Sequence, residues 1–572
     1  MPPPTQPLAV SKPNLLTGFL VHKPQWALTL AVLIILGAFI TKPLNFDDPL
    51  FVWAARQIQL HPADPYGFNV NWYDSAAPMW KVTDNPPLAC YYLAAGAGIF
   101  GWSEIALHAH YLLPALAVML GAYRLARRFC SRPMLAAAIT FFTPAFMVSS
   151  NTLMCDVLML AFWVWSLIFW IEGIEHKDQR RLAGAALLMT LAIFTKYSGL
   201  CLLPLAAAWS LLGPRRPRDL IWLLVPVMLV AAYEAVTGAL YEQGLLTVAC
   251  EASSRYRNTL HCQPSESLLM TLAFSGGCLA PIFFFTPILW TPRKLLFGTV
   301  AVLVIIANLY YGTPIVGNIA LRTGASATSL AIQFVLFSAG GVALLVLSVA
   351  DILKRRDADA FRLGFWLWGT FVFTAFFNWC VNARSILPMS IPLGILIARR
   401  LESNAAKGTE SGKVSIAIPL ALSAALALWV AMSDFILAKA VRTSAEEVLI
   451  KCQGGKGTLW FGGHWGFQYY MQALGALPVD RNTTLVKAGD YYAMPGNNAN
   501  LTDFISLDDA TRLETVSVHN PCWLATHNQA VGAGFYSSIF GPLPFVFGRV
   551  PSEAVDIFVI NRVQKDTKPA SR

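Results

Sequence analysis

The chain has 572 residues, of which 56% are hydrophobic and only 13% charged, with a formal net charge of +10. Soluble domains carry about 25% charged residues, so a soluble globular protein is excluded, and so are disordered and collagen-like chains. A polytopic membrane protein remains, with a positive excess that has to be located along the chain before it means nucleic acid, anionic lipid or topology.

Thirteen apolar runs near the roughly 20 residues needed to cross about 30 Å of hydrocarbon are predicted as spans. They fall at 26–41, 104–123, 133–149, 153–171, 181–195, 198–212, 220–237, 267–290, 295–311, 326–350, 361–380, 385–400 and 414–437. Residues 181–212 are divided at the polar Thr195-Lys196-Tyr197-Ser198, since one span would be too long. The N-terminal MPPPTQPLAVSKPN lacks a small-residue cleavage site after a short apolar core, so the first span is read as retained.

With the N-terminus cytoplasmic, the inward connections collect 22 Lys and Arg, among them Arg124, Arg127, Arg128, Arg132, Arg215, Arg216, Lys354, Arg355 and Arg356, against 8 on the outward side. That is the positive-inside pattern, and it places residues 440–572 outside. The positive excess is therefore a topology signal and not a nucleic-acid footprint.

The first outward connection, 42–103, is long and holds two apolar stretches too short to span, PLFVWAARQIQL and PLACYYLAAGAGIF, predicted as interfacial helices. From residue 439 the composition becomes that of an ordinary globular domain. TLWFGG, TTLVKAG, CWLATH and VDIFVINR read as strands and WGFQYYMQALG as a helix. The predicted fold is thus a polytopic all-α membrane bundle over 1–438, with a small C-terminal α/β extracytoplasmic domain over 439–572 and no internal repeat. Cys250 with Cys262, and Cys452 with Cys522, are candidate disulfide pairs on that outer side.

Asn45-Phe46-Asp47-Asp48-Pro49 follows the first span. Two adjacent carboxylates at a membrane surface are where a base would act on a substrate held there, whereas Asp before Pro-Leu-Phe is also a good helix cap. Both hold if Asp48 caps and Asp47 points into a cavity. Asp156 opens the fourth span, and an acid at that depth normally faces the bundle interior or water. Basic residues are few on the outward side, so Lys81, Lys196, Arg255, Arg257, Arg322 and Arg384 are candidates to bind phosphate, with lipid anchoring as the plain alternative. His108 and His110 lie two apart, on different helix faces, and are not a metal pair; His261 lies near Arg257. Trp460, His464, Trp465 and Tyr469 are either a carbohydrate surface or packed core.

Asp47-Asp48 after the first span, Asn85-Pro86-Pro87-Leu88 with Phe100-Gly101, Asp156, Thr195-Lys196-Tyr197-Ser198-Gly199-Leu200 and Arg384-Ser385-Ile386-Leu387-Pro388 stand in an order and spacing that resembles the GT-C type membrane glycosyltransferases. Within that family the likeness is to the branch of protein O-mannosyltransferases and bacterial aminoarabinose and Rgt-like lipid-linked sugar transferases. The resemblance covers residues 26–400, and the tail in architecture only. It implies an enzyme that moves a sugar, with inversion, from a polyprenyl-phosphate-linked donor to a glycolipid, polysaccharide or protein acceptor on the extracytoplasmic side of a bacterial inner membrane.

In that reading Asp47 is the general base, and Asp48 and Asp156 position it or the acceptor. Lys81, Asn85, Lys196, Arg255, Arg257 and Arg384 serve the lipid phosphate, and His108 and His261 line the substrate pocket. Asn85 stands where some relatives have Lys or His, and Ser385 where an aromatic is frequent. No cofactor or metal is expected, although Asp47 and Asp156 are the acids that would meet a divalent cation. The competing reading is a transporter or flippase of lipid-linked saccharides, against which stands the absence of repeated halves.

Overall fold

The computed structural model describes residues 23–213, 217–259, 263–310, 325–406, 415–499 and 509–562. Every predicted span contains helix, but apolar run and crossing helix do not correspond one to one. Among the described residues five helices are long and apolar enough to cross alone: Glu104–Phe129, Asp156–His176, Arg218–Tyr241 (which opens with a 3-10 turn), Thr328–Arg355 and Ala417–Cys452. A sixth candidate, Pro264–Cys278 with Pro281–Leu289, is bent by 82°.

Local chemistry explains why the other runs are shorter. Run 133–149 breaks into Pro133–Phe141 and Pro144–Ser149, because Pro144 has no N–H to continue the ladder and the Thr143 hydroxyl accepts from the Phe146 amide to start a new helix. The last helix does the opposite. It runs unbroken from Ala417 to Cys452, past the expected domain boundary at 438. Large apolar side chains left exposed on helices, such as Leu113, Met228, Phe297 and Phe365, face outward as lipid-contacting residues do.

Small residues let the helices approach. A Cβ on Gly276 would lie 1.9 Å from the Phe337 carbonyl oxygen and one on Gly341 would lie 2.2 Å from that of Leu272, so Pro264–Cys278 and Ala325–Arg355 touch backbone to backbone. The two short apolar stretches of the first long connection form helices Asp48–Leu60 and Leu88–Phe100, packed on each other.

Near the C-terminus a five-stranded mixed sheet forms, in the order Leu477–Pro478, Leu459–Phe461, Tyr491–Pro495, Glu553–Ile560, Ala510–Val518. The first three are parallel and Glu553–Ile560 is antiparallel to both its neighbours. Helix Trp465–Ala473 crosses between parallel strands and packs on Asp48–Leu60, so the tail leans on the first long connection. TTLVKAG is a loop and not a strand. The Asp480 amide is held by the Thr484 hydroxyl, and the Asp490 carboxylate accepts from the Lys487 amide, turning the chain at both ends. Cys452 and Cys522 are free thiols, and Cys262 lies outside the described residues.

Candidate active site

The turn Asn45–Asp48 is built to present one carboxylate and bury the other. Phe46 adopts φ +48°, a left-handed conformation costing a non-glycine residue about 1–2 kcal/mol, and its ring stacks on Tyr536 with centroids 3.7 Å apart. Asp47 occupies the cap position of helix Asp48–Leu60, but its side chain makes no capping bond. Asp48 is not the cap. It opens the helix, is buried, and its carboxylate accepts from the amides of Asn45 at 3.1 Å and Leu153 at 2.8 Å, tying this turn to the start of helix Asp156–His176. Burial pushes the Asp48 carboxyl up to about 7 against the opposing pull of Lys42 and its two amide donors.

Asp47 receives an Arg384 guanidinium N–H at 3.0 Å, and the same nitrogen lies 2.8 Å from the Met154 sulfur. Arg384 reaches this point because the Asn382 side chain caps the short helix Ala383–Ile386, and its charge also faces Asp156. Asp156 in turn accepts from Lys196 at 2.5 Å. Four charged groups thus alternate acid, base, acid, base, each from a different segment of the chain. Their exposure differs: the Asp47 side chain is 32% exposed, while that of Asp156 is 1% exposed. Of the two carboxylates, only Asp47 is open to a molecule entering the site.

Asn85 joins the edge of this group, with its Oδ1 3.6 Å from the Cys155 sulfur and its carbonyl accepting from the Tyr66 hydroxyl. The structure leaves other predicted residues apart. Lys81 is exposed, its ammonium 4.9 Å from the Trp80 ring. Arg255 is exposed on helix Leu245–Thr259, and Arg257 is spent on the backbone carbonyls of Phe376 and Asn378. Among the described residues neither pairs with a member of the cluster. His108 is buried beside Lys42 and cannot line an open pocket, His110 stacks on Tyr92 at 4.2 Å, and His261 and Arg322 lie outside the described residues. Trp465 and Tyr469 pack against rings of the first connection and the tail, and His464 is buried beside Trp72, as a core does.

Two features were not among the sequence candidates. Half-buried Asp84 faces Asp47; desolvation, and then the Asp47 charge, push its carboxyl up to about 7. Nearby, the Tyr73 and Tyr256 hydroxyls meet at 3.0 Å. The second feature is the buried pair of Lys42 and Asp434 at 2.5 Å. Beside the charged cluster an apolar cavity of about 270 Å³ opens between Pro87, Leu88, Phe194, Tyr233, Val236 and Leu240. Among the described residues no group of three or more His, Cys, Asp or Glu is placed to hold a metal ion.

Residues 84–238 match the family described as dolichyl-phosphate-mannose-protein mannosyltransferase. No curated protein sequence matches the chain. Solved structures similar to it include ArnT from Cupriavidus metallidurans, in the apo state and bound to undecaprenyl phosphate. Each shows 14% identity and a TM-score of 0.41, over 84% of this chain and 93% of that one. Arabinofuranosyltransferase AftD from Mycobacteria shows 12% identity and a TM-score of 0.38, over 96% of this chain and 42% of that one. The segment matched by that family contains Asp84, Asn85, Asp156 and Lys196, three of which belong to or border the charged cluster.

Proposed function

We propose that the chain transfers a sugar from a polyprenyl-phosphate-linked donor to a glycolipid, polysaccharide or protein acceptor on the extracytoplasmic side, with inversion and with Asp47 as general base. The observation that carries this reading is the alternating cluster: an accessible carboxylate held by Arg384, next to a buried carboxylate held by Lys196. Asp47 takes the proton of the acceptor hydroxyl or amine as that atom attacks the anomeric carbon. The anomeric carbon–oxygen bond to phosphate breaks on the opposite face, and the bonding pair leaves with the lipid phosphate. One displacement inverts the centre without a covalent intermediate.

Arg384 and Lys196 supply positive charge where the leaving phosphate gains negative charge, the role a divalent cation fills in metal-dependent transferases. Donor phosphate competing for Arg384 would loosen its hold on Asp47 and free the carboxylate as base when donor is bound. The apolar cavity between Pro87, Phe194 and Val236 suits the first isoprene units of the donor. Lys196→Met assayed with a panel of polyprenyl-phosphate sugars tests this division of labour: donor KM rises at least about tenfold with acceptor KM unchanged. An unchanged donor KM removes Lys196 from phosphate binding.

A further inference from the structure

The tail folds back onto Arg384 and onto Phe46, the residue before Asp47, and on the proposed transferase reading this gives it a task in the reaction. Three sets of contacts converge on residues 524–540. The Tyr536 ring stacks on Phe46 at 3.7 Å, one residue before Asp47, and the Arg384 guanidinium carbon lies 5.9 Å from the centre of the same ring. The Tyr536 hydroxyl donates to Asp434 at 2.9 Å, the carboxylate that also receives Lys42 at 2.5 Å and the Thr526 hydroxyl at 3.3 Å. On the Arg384 side the backbone is paired directly: the Ala383 amide donates to the Phe535 carbonyl at 3.0 Å, and the Ser538 amide to the Val381 carbonyl at 2.8 Å. The Val381 amide donates to the Ser538 hydroxyl at 3.2 Å.

One aromatic ring therefore lies against Arg384 and against Phe46, the residue before Asp47, and its hydroxyl is held by Asp434. Phe46 stays at φ +48° because Tyr536, His527 and Trp465 close on its ring, with centroids at 3.7, 4.7 and 5.2 Å. Releasing it lets the Asn45–Asp48 turn relax toward a right-handed conformation, which re-aims Asp47. We infer that Tyr536 is a positioning residue of the active site, setting the distance between Asp47 and Arg384 through Phe46, and that segment 524–540 belongs functionally to the membrane domain.

The test compares Tyr536→Leu and Tyr536→Phe in the full chain, reconstituted in lipid nanodiscs. With a polyprenyl-phosphate sugar panel, Tyr536→Leu should lose about 100-fold in kcat with donor KM within about twofold, whereas Tyr536→Phe, which keeps the stacking ring, should stay within about threefold of wild type. A folded Tyr536→Leu with wild-type kcat overturns the inference, as does an equal loss in both variants. Hydrogen exchange reads the clamp without any transfer assay. In Tyr536→Leu the amides of Val381, Ala383 and residues 45–48 should exchange at least about tenfold faster, with the helices away from the tail unchanged. Unchanged exchange at those amides, or a uniform rise through the chain, overturns it. If wild type transfers no sugar while the exchange result holds, the transferase mechanism fails and the clamp stands.

Discussion

At the scale of single residues, the site separates charges that look alike in the sequence. Asp47 and Asp48 are adjacent, yet one is partly exposed and the other is buried and fixed by two backbone amides. Asp156 was legible as an acid facing the bundle interior because a carboxylate within a span is costly in lipid, and its partner Lys196 stood out because outward cations are rare. That these two pair is not in the spacing, which separates them by 40 residues.

Asp156 leaves a buried charge behind if its partner is removed. Lys196→Met should destabilise the chain by about 3–5 kcal/mol, and the double variant Lys196→Met/Asp156→Leu should recover most of that without recovering transfer. Thermal unfolding in detergent alongside transfer rate distinguishes the two. Recovery of both would make the pair structural.

Asp84 was hidden for a related reason: nothing in its local sequence links it to Asp47, and only the folded chain brings the two to face each other. Its carboxyl, pushed up to about 7, is protonated below that pH and anionic above it. Ionisation there adds negative charge beside the base and against an anionic donor, so kcat/KM should fall as pH rises through about 7. Asp84→Asn should flatten that alkaline limb, and a limb of unchanged position in the variant would assign it elsewhere.

Among elements, the apolar runs located helices but not their breaks. Run 133–149 divides at Thr143-Pro144, and 267–290 bends by 82° between Cys278 and Pro281, both at residues that interrupt or restart the hydrogen-bond ladder. Hydropathy sums cannot see such a bend. The expected strand TTLVKAG failed because the hydrogen bonds of Asp480 and Asp490 hold its ends as turns. The pairing of Pro264–Cys278 with Ala325–Arg355 depends on Gly276, where a Cβ would meet the Phe337 carbonyl at 1.9 Å. Gly276→Val should force the helices apart and cost at least about 2 kcal/mol, lowering the unfolding midpoint, while the equivalent change at Gly298, where a Cβ meets nothing within 4 Å, should leave it within about 0.5 kcal/mol.

Across the whole molecule, the division into a membrane part and an outer tail is less sharp than composition indicates. Helix Ala417–Cys452 continues from one into the other, and the tail supplies contacts to Phe46 and Arg384. Composition reports where lipid ends, not which segments act together. The tail also carries a pH-sensitive element of its own. Burial pushes Glu553 up to about 7 although the Asn497 amide favours its charged form. The folded state therefore holds this proton more tightly than the unfolded chain. That contribution is fully present at acid pH and lost as pH rises through about 7, a change on the order of 3 kcal/mol. Unfolding midpoints should fall between pH 5 and 8, and Glu553→Gln should reduce that slope; an unchanged slope places the sensitivity in another group, such as Asp48.

The most direct test is Asp47→Asn, assayed for transfer from polyprenyl-phosphate sugars and, separately, for binding of undecaprenyl phosphate. The substitution keeps size and can still accept from Arg384 but removes the base. Transfer should fall at least about 1000-fold while the lipid phosphate binds within about threefold of wild type. A folded Asp47→Asn protein that transfers sugar at the wild-type rate would contradict the account.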